Sequence, residues 1–266
     1  MKNEHKLDIE KIKSAIKGLG AATPKIFYYS ETDSTNTRAK EYARSHVAER
    51  APTIFIADSQ TAGRGRLGKS FHSASGAGIY ISLLLYPDKK GSAITKFTPF
   101  AAVMLSECVE ELTDISPSIK WVNDLYASDK KLAGILVEGE MDSEGNIAYL
   151  VCGLGINIYK TAFPNEISDI AISIEEASGK KISREEFTAR LTQKIIDGVK
   201  NFDSNEVFAA YASRLNTIGK QVKVIKPNES YDATVKALAP DYSLIIETKD
   251  GKEEHLFTGE VSIKGK

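Results

Sequence analysis

The sequence predicts an α+β fold, in which a mixed β-sheet flanked by helices is followed by a small β-barrel. In the larger, N-terminal part, apolar runs typical of strands and amphipathic helical patterns follow each other without a regular βαβ alternation. After Gly219 the pattern changes to short strands separated by turns, with Asp250-Gly251 as a hairpin turn. We therefore predict two domains, residues 1–217 and residues 218–266, the second about the size of an SH3 domain.

The helices are predicted from apolar residues at helical spacing and from capping residues. Two capping boxes, Ser173 with Glu176 and Ser183 with Glu186, begin two of them. Thr98 before Pro99 is typical of an N-cap followed by the first helical position. In chain order the first predicted helix covers residues 9–19 with Gly20 as the stop, and the second follows residues 33–36 and runs through Ala39, Tyr42 and Ala43. The next covers residues 99–112, one begins after Ser173, and the last two cover residues 184–201 and 206–215.

The strands are predicted from short β-branched or aromatic runs bounded by turn residues. One of them, residues 131–137, is apolar on both faces after its first lysine, as expected for a strand covered on both sides. In chain order the predicted strands cover residues 25–30, 53–57, 79–86, 119–122, 132–138, 147–153, 222–226, 233–237, 243–247 and 254–257.

Bulk composition excludes several classes of protein. A net charge of −1 is unlike that of a protein made mainly to bind nucleic acid. Two cysteines, Cys108 and Cys152, give no disulfide framework and no metal-site spacing, and their apolar surroundings predict buried, unreactive thiols. Residues 1–17 contain no apolar signal region, and no segment is long and apolar enough for a membrane span. We therefore expect a cytoplasmic protein with no membrane contact.

A loop of glycines and cations, residues 60–70, indicates a site for a phosphate-bearing ligand. Flexible backbone lets amides approach the ligand, and the arginines and lysines neutralise its charge. Gly63 to Ser70 also matches the P-loop pattern G-x-x-x-x-G-K-[ST]. A P-loop requires a helix that begins at the Lys-Ser pair, and the Ser-, Ala- and Gly-rich residues 71–78 do not predict one. The P-loop interpretation is therefore rejected.

A second segment places a lysine at the head of an apolar strand. Lys131 opens residues 131–137, and a buried ammonium requires an anionic partner. We predict that Lys131 is the main catalytic cation, and that Lys130 faces the other way because strand side chains alternate. The alternative is a lysine that extends to the surface at the end of a strand.

Together these segments resemble biotin–protein ligases, which adenylate biotin and transfer it to a lysine of a carrier protein. The matching pieces occur in family order and end with the Gly-Leu-Gly-Ile-Asn segment. They are residues 33–36 (DSTN), 60–66 (QTAGRGR), 120–124 (KWVND), 131–136 (KLAGIL) and 153–157 (GLGIN). The resemblance implies a catalytic domain like those of class II aminoacyl-tRNA synthetases and biotin ligases, with an SH3-like C-terminal domain.

The resemblance also implies roles for individual residues, carried over position by position. Lys131 and Arg66 are the predicted catalytic residues. The residues expected to bind biotin are Ser34, Thr35, Asn36, Gln60, Arg64, Gly65, Arg66, Trp121, Lys131, Gly134, Gly153 and Gly155. The residues expected to bind the nucleotide are Lys69, Phe71, Lys120, Asn123, Lys131 and Asn157. No protein metal ligand is predicted, although Mg²⁺ is expected with ATP because it screens the triphosphate.

Several interpretations stay open at this point. Residues 34–36 have plain helix capping as an alternative to ligand binding. Trp121 either contacts the biotin chain or fills the core. Asp124 either assists the metal or the incoming lysine, or serves as a structural turn residue. Val122, Phe71 and Lys69 depart from the Pro, Trp and Arg that the family usually has. The last two departures leave the adenine contacts open.

The implied partner is a biotin carboxyl carrier protein, and the implied small molecules are biotin and ATP. About 25 residues precede the first predicted strand, fewer than the winged-helix domain of some members needs, so we expect no DNA binding. Exposed sheet edges leave a homodimer open. The competing functions are a lipoate–protein ligase or octanoyl transferase of the same superfamily, and a nonenzymatic nucleic-acid-binding module.

Overall fold

A computed structural model describes residues 6–19, 23–161, 163–226 and 228–263 of the chain. Within them the helices are α1 (Ile9–Gly18), α2 (Thr35–Ser45), α3 (Ile94–Leu112), α4 (Ile174–Ser178), α5 (Arg184–Gly198) and α6 (Asn205–Arg214). Every helix in these ranges is too short or too polar to cross a lipid bilayer. The Gly20 stop predicted for the first helix lies outside the described residues.

The strands of the larger sheet are β1 (Lys25–Tyr29), β2 (Thr53–Ala57), β3 (Gly78–Leu85), β4 (Ser118–Lys120), β5 (Asp124–Ala127), β6 (Lys130–Met141) and β7 (Ile147–Asn157). They form one sheet in the order β1-β2-β3-β7-β6-β5-β4. β1 and β2 run parallel and the other neighbours run antiparallel. This mixed sheet confirms the predicted α+β class.

The C-terminal strands are β8 (Gln221–Lys226), β9 (Glu229–Leu238), β10 (Leu244–Thr248), β11 (Glu253–Leu256) and β12 (Glu260–Ile263). They form a five-stranded antiparallel sheet in the order β11-β10-β9-β8-β12, the predicted SH3-like unit. β10 and β11 pair around the Asp250-Gly251 turn as predicted. The sequence did not predict β12, which matters below because it reaches the site.

The register of the central strands determines what lines the cavity described below. Gly155 on β7 lies opposite both Gly134 on β6 and Tyr80 on β3. Two residues earlier, Gly153 lies opposite Leu136 on one side and Ser82 on the other. Glycines therefore meet in the middle of the sheet, where the absence of side chains lets other groups approach the backbone closely.

Helix α3 begins earlier than the sequence predicts. Thr98 and Pro99 are not an N-cap and first position, because Pro99 is the sixth residue of a helix that begins at Ile94. A tight turn over residues 91–93 leads directly into the helix. Only the Thr95 carbonyl, four residues before the proline, loses its usual donor, so the loss is confined to the first turns.

Strand β6 also differs from its prediction. Leu132, Ala133 and Ile135 are buried, but Gly134 and Leu136 are only half-buried. One face of the strand packs on the core, and the other forms part of a cavity wall. The prediction that both faces are covered is therefore wrong, and the uncovered face carries the site.

Candidate active site

A cavity of about 660 Å³ opens over β6 and β7, bounded by the start of α2, the glycine–arginine loop and β12. All of the residues that the sequence predicted for ligand binding line it. They are Ser34, Thr35, Asn36, Gln60, Arg64, Gly65, Arg66, Lys69, Phe71, Lys120, Trp121, Asn123, Lys131, Gly134, Gly153, Gly155 and Asn157. Pieces separated by more than a hundred residues in the sequence are thus brought to one place.

One end of the cavity is a network of neutral polar groups at the start of α2. The backbone amide of Thr35 donates to Gln60 Oε1 at 2.9 Å, and Gln60 Nε2 donates to Ser73 Oγ at 3.0 Å. The hydroxyl of Ser34 makes no capping bond to the helix, although Ser34 occupies the N-cap position. Capping by its hydroxyl therefore does not account for Ser34, and this residue lines the cavity.

The middle of the cavity requires glycine. A Cβ built on Gly153 would lie 2.1 Å from Asn36 Oδ1, and one on Gly155 would lie 2.5 Å from the Phe71 ring. A Cβ on Gly134 would lie 3.2 Å from the Lys131 ammonium. The side chains of Asn36, Phe71 and Lys131 therefore lie directly on the backbone of the sheet. A narrow ligand can lie on this backbone in the same way.

The other end of the cavity is cationic. Lys131 Nζ lies 2.9 Å from Asp124 Oδ2, which supplies the anionic partner that the sequence argument required. Arg66 Nη1 donates to Asn123 Oδ1 at 3.3 Å, and Asn123 Nδ2 donates to the Ile135 carbonyl at 2.9 Å. Since Asn123 and Asp124 are adjacent, the guanidinium and the ammonium reach neighbouring positions.

The charges around Lys131 are only partly balanced. Asp124 Oδ1 is buried without a hydrogen-bond partner, so this carboxylate keeps one unused acceptor. The Lys120 ammonium lies 5.5 Å from the Tyr126 ring centre. Burial lowers the pKa of Lys120 from its usual value, with Asp124 and Glu260 acting in the opposite direction. An anion bound here in addition to Asp124 would offset the free-energy cost of burying the Lys120 ammonium.

The glycine–arginine loop covers the cationic end. The Gly65 amide donates to the Lys69 carbonyl at 2.6 Å, and the Lys69 amide donates to the Arg66 carbonyl at 3.1 Å. Between them Leu67 and Gly68 have left-handed backbone, at φ of 53° and 75°. No α-helix follows among residues 69–77, so the structure agrees with rejecting the P-loop interpretation. Leu67 is a non-glycine residue in this conformation, so its backbone is strained.

Lys69 joins this loop to the C-terminal domain. Its ammonium lies 2.5 Å from Glu260 Oε2, on the strand β12 that the sequence did not predict. The indole Nε1 of Trp121 donates to the Tyr242 carbonyl of the same domain at 2.8 Å. Trp121 is 4% exposed and belongs to the core, yet it also lines the cavity. The core interpretation of this tryptophan is confirmed, and its contact with the biotin chain stays a prediction.

Asn157 is held by the backbone on either side of it. Its Nδ2 lies 3.2 Å from the Ile172 carbonyl and 3.4 Å from the Lys131 carbonyl. The Lys131 amide in turn donates to the Ile170 carbonyl at 2.7 Å. Asn157 thus fixes the backbone at Lys131, in addition to lining the cavity.

The described residues contain no group of three or more His, Cys, Asp or Glu side chains that could hold a metal ion. Both cysteines are buried, as predicted. Burial raises the pKa of Cys108 to about 12 and raises that of Cys152 further, so neither thiol is an available nucleophile.

Sequence reasoning missed part of the cavity wall. Besides Asp124, whose role was left open, the wall contains His72 and Tyr126. The segment after β7 and the C-terminal domain contribute Phe163, Ile167, Ile170, Ala171, Glu260 and Val261. These residues show no periodicity and no motif, so a single sequence carries no signal for them.

Comparisons with known proteins agree with this geometry. Residues 28–157 match the family described as Biotin/lipoate A/B protein ligase family, and residues 217–264 match the Biotin protein ligase C terminal domain. The chain is 29% identical to the biotin protein ligase of Aquifex aeolicus in complex with biotin and ATP. That structure aligns with a TM-score of 0.73, over 90% of this chain and 98% of the other.

Curated relatives give the same result. A bifunctional ligase/repressor BirA of Bacillus subtilis is 38% identical over 161 residues, which cover 60% of this chain. That match spans about half (49%) of the Bacillus protein. A biotin–[acetyl-CoA-carboxylase] ligase of Mycobacterium tuberculosis is 29% identical over 227 residues, which cover 83% of this chain and 82% of the relative.

Proposed function

Because the chain belongs to the biotin/lipoate A/B protein ligase family, we propose that it is an ATP-dependent biotin–protein ligase. The observation that carries the proposal is one cavity with a neutral polar end and a cationic end. Asn36 bonds the Leu136 carbonyl at the neutral end, and Lys131 marks the cationic end of the same strand. At a rise of roughly 3.3 Å per residue these strand positions are about 16 Å apart.

Biotin has the shape and polarity that this cavity requires. Its cyclic urea needs both donors and acceptors, which Ser34, Thr35 and Gln60 supply at the neutral end. Its apolar chain then lies on the backbone near Gly153 and Gly155, where a Cβ would collide with neighbouring side chains. Its carboxylate reaches the cationic end, where Arg66 and Lys131 contribute charge.

The first step is adenylation. A carboxylate oxygen of biotin attacks the α-phosphorus of ATP, an O–P bond forms, and the bond to pyrophosphate breaks. Negative charge accumulates at this phosphorus, so Lys131 and Arg66 stabilise the transition state more than the ground state. Ordering of the loop over biotinyl-5′-AMP shields the mixed anhydride from water.

The second step transfers the acyl group. The amine of the carrier's lysine attacks the acyl carbon, an amide bond forms, the nitrogen loses a proton and AMP leaves. Asp124 is suited to assist this amine, because its Oδ1 is buried without a partner beside Lys131. The protein positions and neutralises the reactants, and no covalent enzyme intermediate is needed.

Magnesium enters this proposal with the nucleotide. Mg²⁺ usually binds through one or two carboxylates together with substrate phosphates, and Asp124 offers one free oxygen. The ion supplies charge screening of the triphosphate when bound. Lys120, Asn123 and Lys69 then contact the nucleotide phosphates or sugar, and Phe71 and Asn157 lie against the nucleotide.

The proposed acceptor is a lysine of a biotin carboxyl carrier protein in the cytoplasm, consistent with the names of relatives that act on acetyl-CoA carboxylase. Lipoate–protein ligase is the second candidate, because the family model includes such enzymes. Two observations favour biotin. Residues 217–264 match a domain described for biotin ligases, and the polar end suits a urea better than a dithiolane, which offers no N–H.

The test is pyrophosphate–ATP exchange followed by intact mass spectrometry of a generic biotin carrier domain. We expect biotin to support exchange and to add one biotin to the carrier, and lipoate and octanoate to support neither. Exchange with lipoate in place of biotin would select the second candidate. Strongly salt-dependent nucleic-acid binding without any adenylate would contradict both ligase proposals.

A further inference from the structure

We propose that Ser82, a buried residue behind the cavity, fixes the direction of the hydrogen bonds at Thr35, so that Thr35 accepts from a ligand N–H. This inference rests on the proposed function, because its probe is biotin. Ser82 is the fully buried serine of strand β3, at 0% exposure, and it is not part of the cavity wall. It acts through Thr35 and is therefore a positioning residue.

Glu138, on β6, determines the orientation of the Asn36 amide. Its Oε1 lies 2.5 Å from Lys40 Nζ, and its Oε2 accepts from Asn36 Nδ2 at 2.8 Å. Burial acts to raise the pKa of Glu138, but bonds from Lys40 and Asn36 hold that pKa below its usual value. An ionised carboxylate only accepts hydrogen bonds, so it requires the NH₂ group of Asn36 on its side.

The backbone confirms this orientation of Asn36. Its Nδ2 also lies 3.3 Å from the carbonyl of Leu136, another group that only accepts. The amide oxygen of Asn36 therefore points the other way, toward Ser82 Oγ at 2.6 Å. An amide oxygen has no proton, so Ser82 must donate its single proton to Asn36.

The consequence reaches the cavity at Thr35. Ser82 Oγ and Thr35 Oγ1 are 2.7 Å apart, and Ser82 has no proton left for this contact. Thr35 must therefore donate to Ser82. Gln60 Oε1 lies 3.2 Å from the same hydroxyl but then receives no proton from that hydroxyl. It accepts a hydrogen bond from the backbone amide of Thr35 instead. A lone pair of Thr35 remains, and it suits a ligand that offers N–H.

This arrangement makes a specificity prediction. A ligand with an N–H at Thr35 is accepted, and a ligand of the same shape with an oxygen there places two lone pairs against each other. The cost of a buried acceptor without a donor is about 1–3 kcal/mol, which corresponds to a roughly 10- to 100-fold loss of affinity. Without Ser82, the proton of Thr35 keeps only Gln60 Oε1, at 3.2 Å, as an acceptor within the protein. Turning that proton toward the ligand then costs less, and the discrimination falls.

The experiment compares biotin with two cyclic carbamates, in each of which one ring N–H is replaced by oxygen. Dissociation constants are measured by calorimetry for the wild-type chain and for Ser82→Ala. We expect the wild type to bind one carbamate roughly 10- to 100-fold more weakly than biotin. In Ser82→Ala this ratio should fall by about tenfold, the value of one hydrogen bond near 1.4 kcal/mol.

The matched control is Ser106→Ala. Ser106 is also 0% exposed, its Oγ has no hydrogen-bond partner, and it lies on α3 away from the cavity wall. We expect this variant to keep the wild-type ratio. A purely structural effect of losing a buried hydroxyl would change melting temperature in either variant, but it would leave the biotin-to-carbamate ratio unchanged.

Three outcomes overturn the inference. The first is that the wild-type protein binds both carbamates within about threefold of biotin; this result needs no variant, so it holds whether or not Ser82→Ala folds. The second is that a folded Ser82→Ala variant keeps the full biotin-to-carbamate ratio. Absence of biotin binding by the wild type would overturn the proposed function together with this inference, whereas the first two outcomes leave the proposed function intact.

Discussion

Replacement of Lys131 by methionine should remove most adenylation activity and leave the fold intact. The ammonium lies 2.9 Å from Asp124 Oδ2 and is 31% exposed, so it is accessible to a ligand in the cavity. At an effective dielectric near 20, an ammonium about 4 Å from a phosphate charge contributes about 4 kcal/mol. Only the part that grows in the transition state accelerates the reaction.

We therefore expect Lys131→Met to lower pyrophosphate exchange by roughly 10²–10³-fold, the usual effect of losing one such stabilising group. Methionine preserves most of the side-chain volume, so the melting temperature should change little. The matched control is Lys130→Met, because Lys130 donates to the Ser168 carbonyl at 3.3 Å and is not part of the cavity wall. Exchange by Lys131→Met within about threefold of the control would show that this ammonium does not stabilise the transition state.

Three further predictions concern the loop, the cavity floor and the thiols. Arg66→Gly should release biotinyl-5′-AMP, measured as biotin labelling of bystander proteins; retention equal to wild type contradicts closure. Gly155→Ala should raise KM about tenfold, because its Cβ would lie 2.5 Å from Phe71 and overpacking costs about 1–3 kcal/mol, while Gly18→Ala should not. Burial raises the pKa of Cys108 to about 12, so iodoacetamide at pH 8 should label it only after unfolding; rapid native labelling contradicts this burial.

The site was largely predictable because its motifs have physical requirements that a sequence displays. Glycines must occur where side chains or ligands lie on the backbone, as at Gly153 beneath Asn36. A lysine in an apolar strand must have an anionic partner, and Lys131 has Asp124. The other predicted residues came from the family resemblance, and all of them line a cavity that forms only in the folded chain, while their roles stay predictions.

The parts that could not be predicted depend on long-range contacts. Glu260 lies on a four-residue strand with little apolar pattern, and its partner Lys69 is 191 residues away. Nothing local marks it as part of the site. Ser82 carried a weak signal, a serine inside an otherwise apolar strand, but its meaning depends on the position of Asn36 across the sheet.

Local rules also misled where tertiary packing overrides them. Thr98-Pro99 is typical of a helix start, yet α3 begins at Ile94 because the preceding tight turn already supplies the first turn. Residues 131–137 are typical of a strand covered on both faces, yet one face forms the cavity wall. An apolar ligand surface and a protein core have the same composition, so composition does not separate them.

The central claim is that a loop arginine and a strand lysine act on the same phosphate. A crystal structure with a non-hydrolysable biotinyl-adenylate analogue tests it directly. We expect the Arg66 guanidinium and the Lys131 ammonium to bond the phosphate-mimicking group together, with residues 63–69 ordered above it. An analogue bound in the cavity with either cation directed away from that group would contradict the claim.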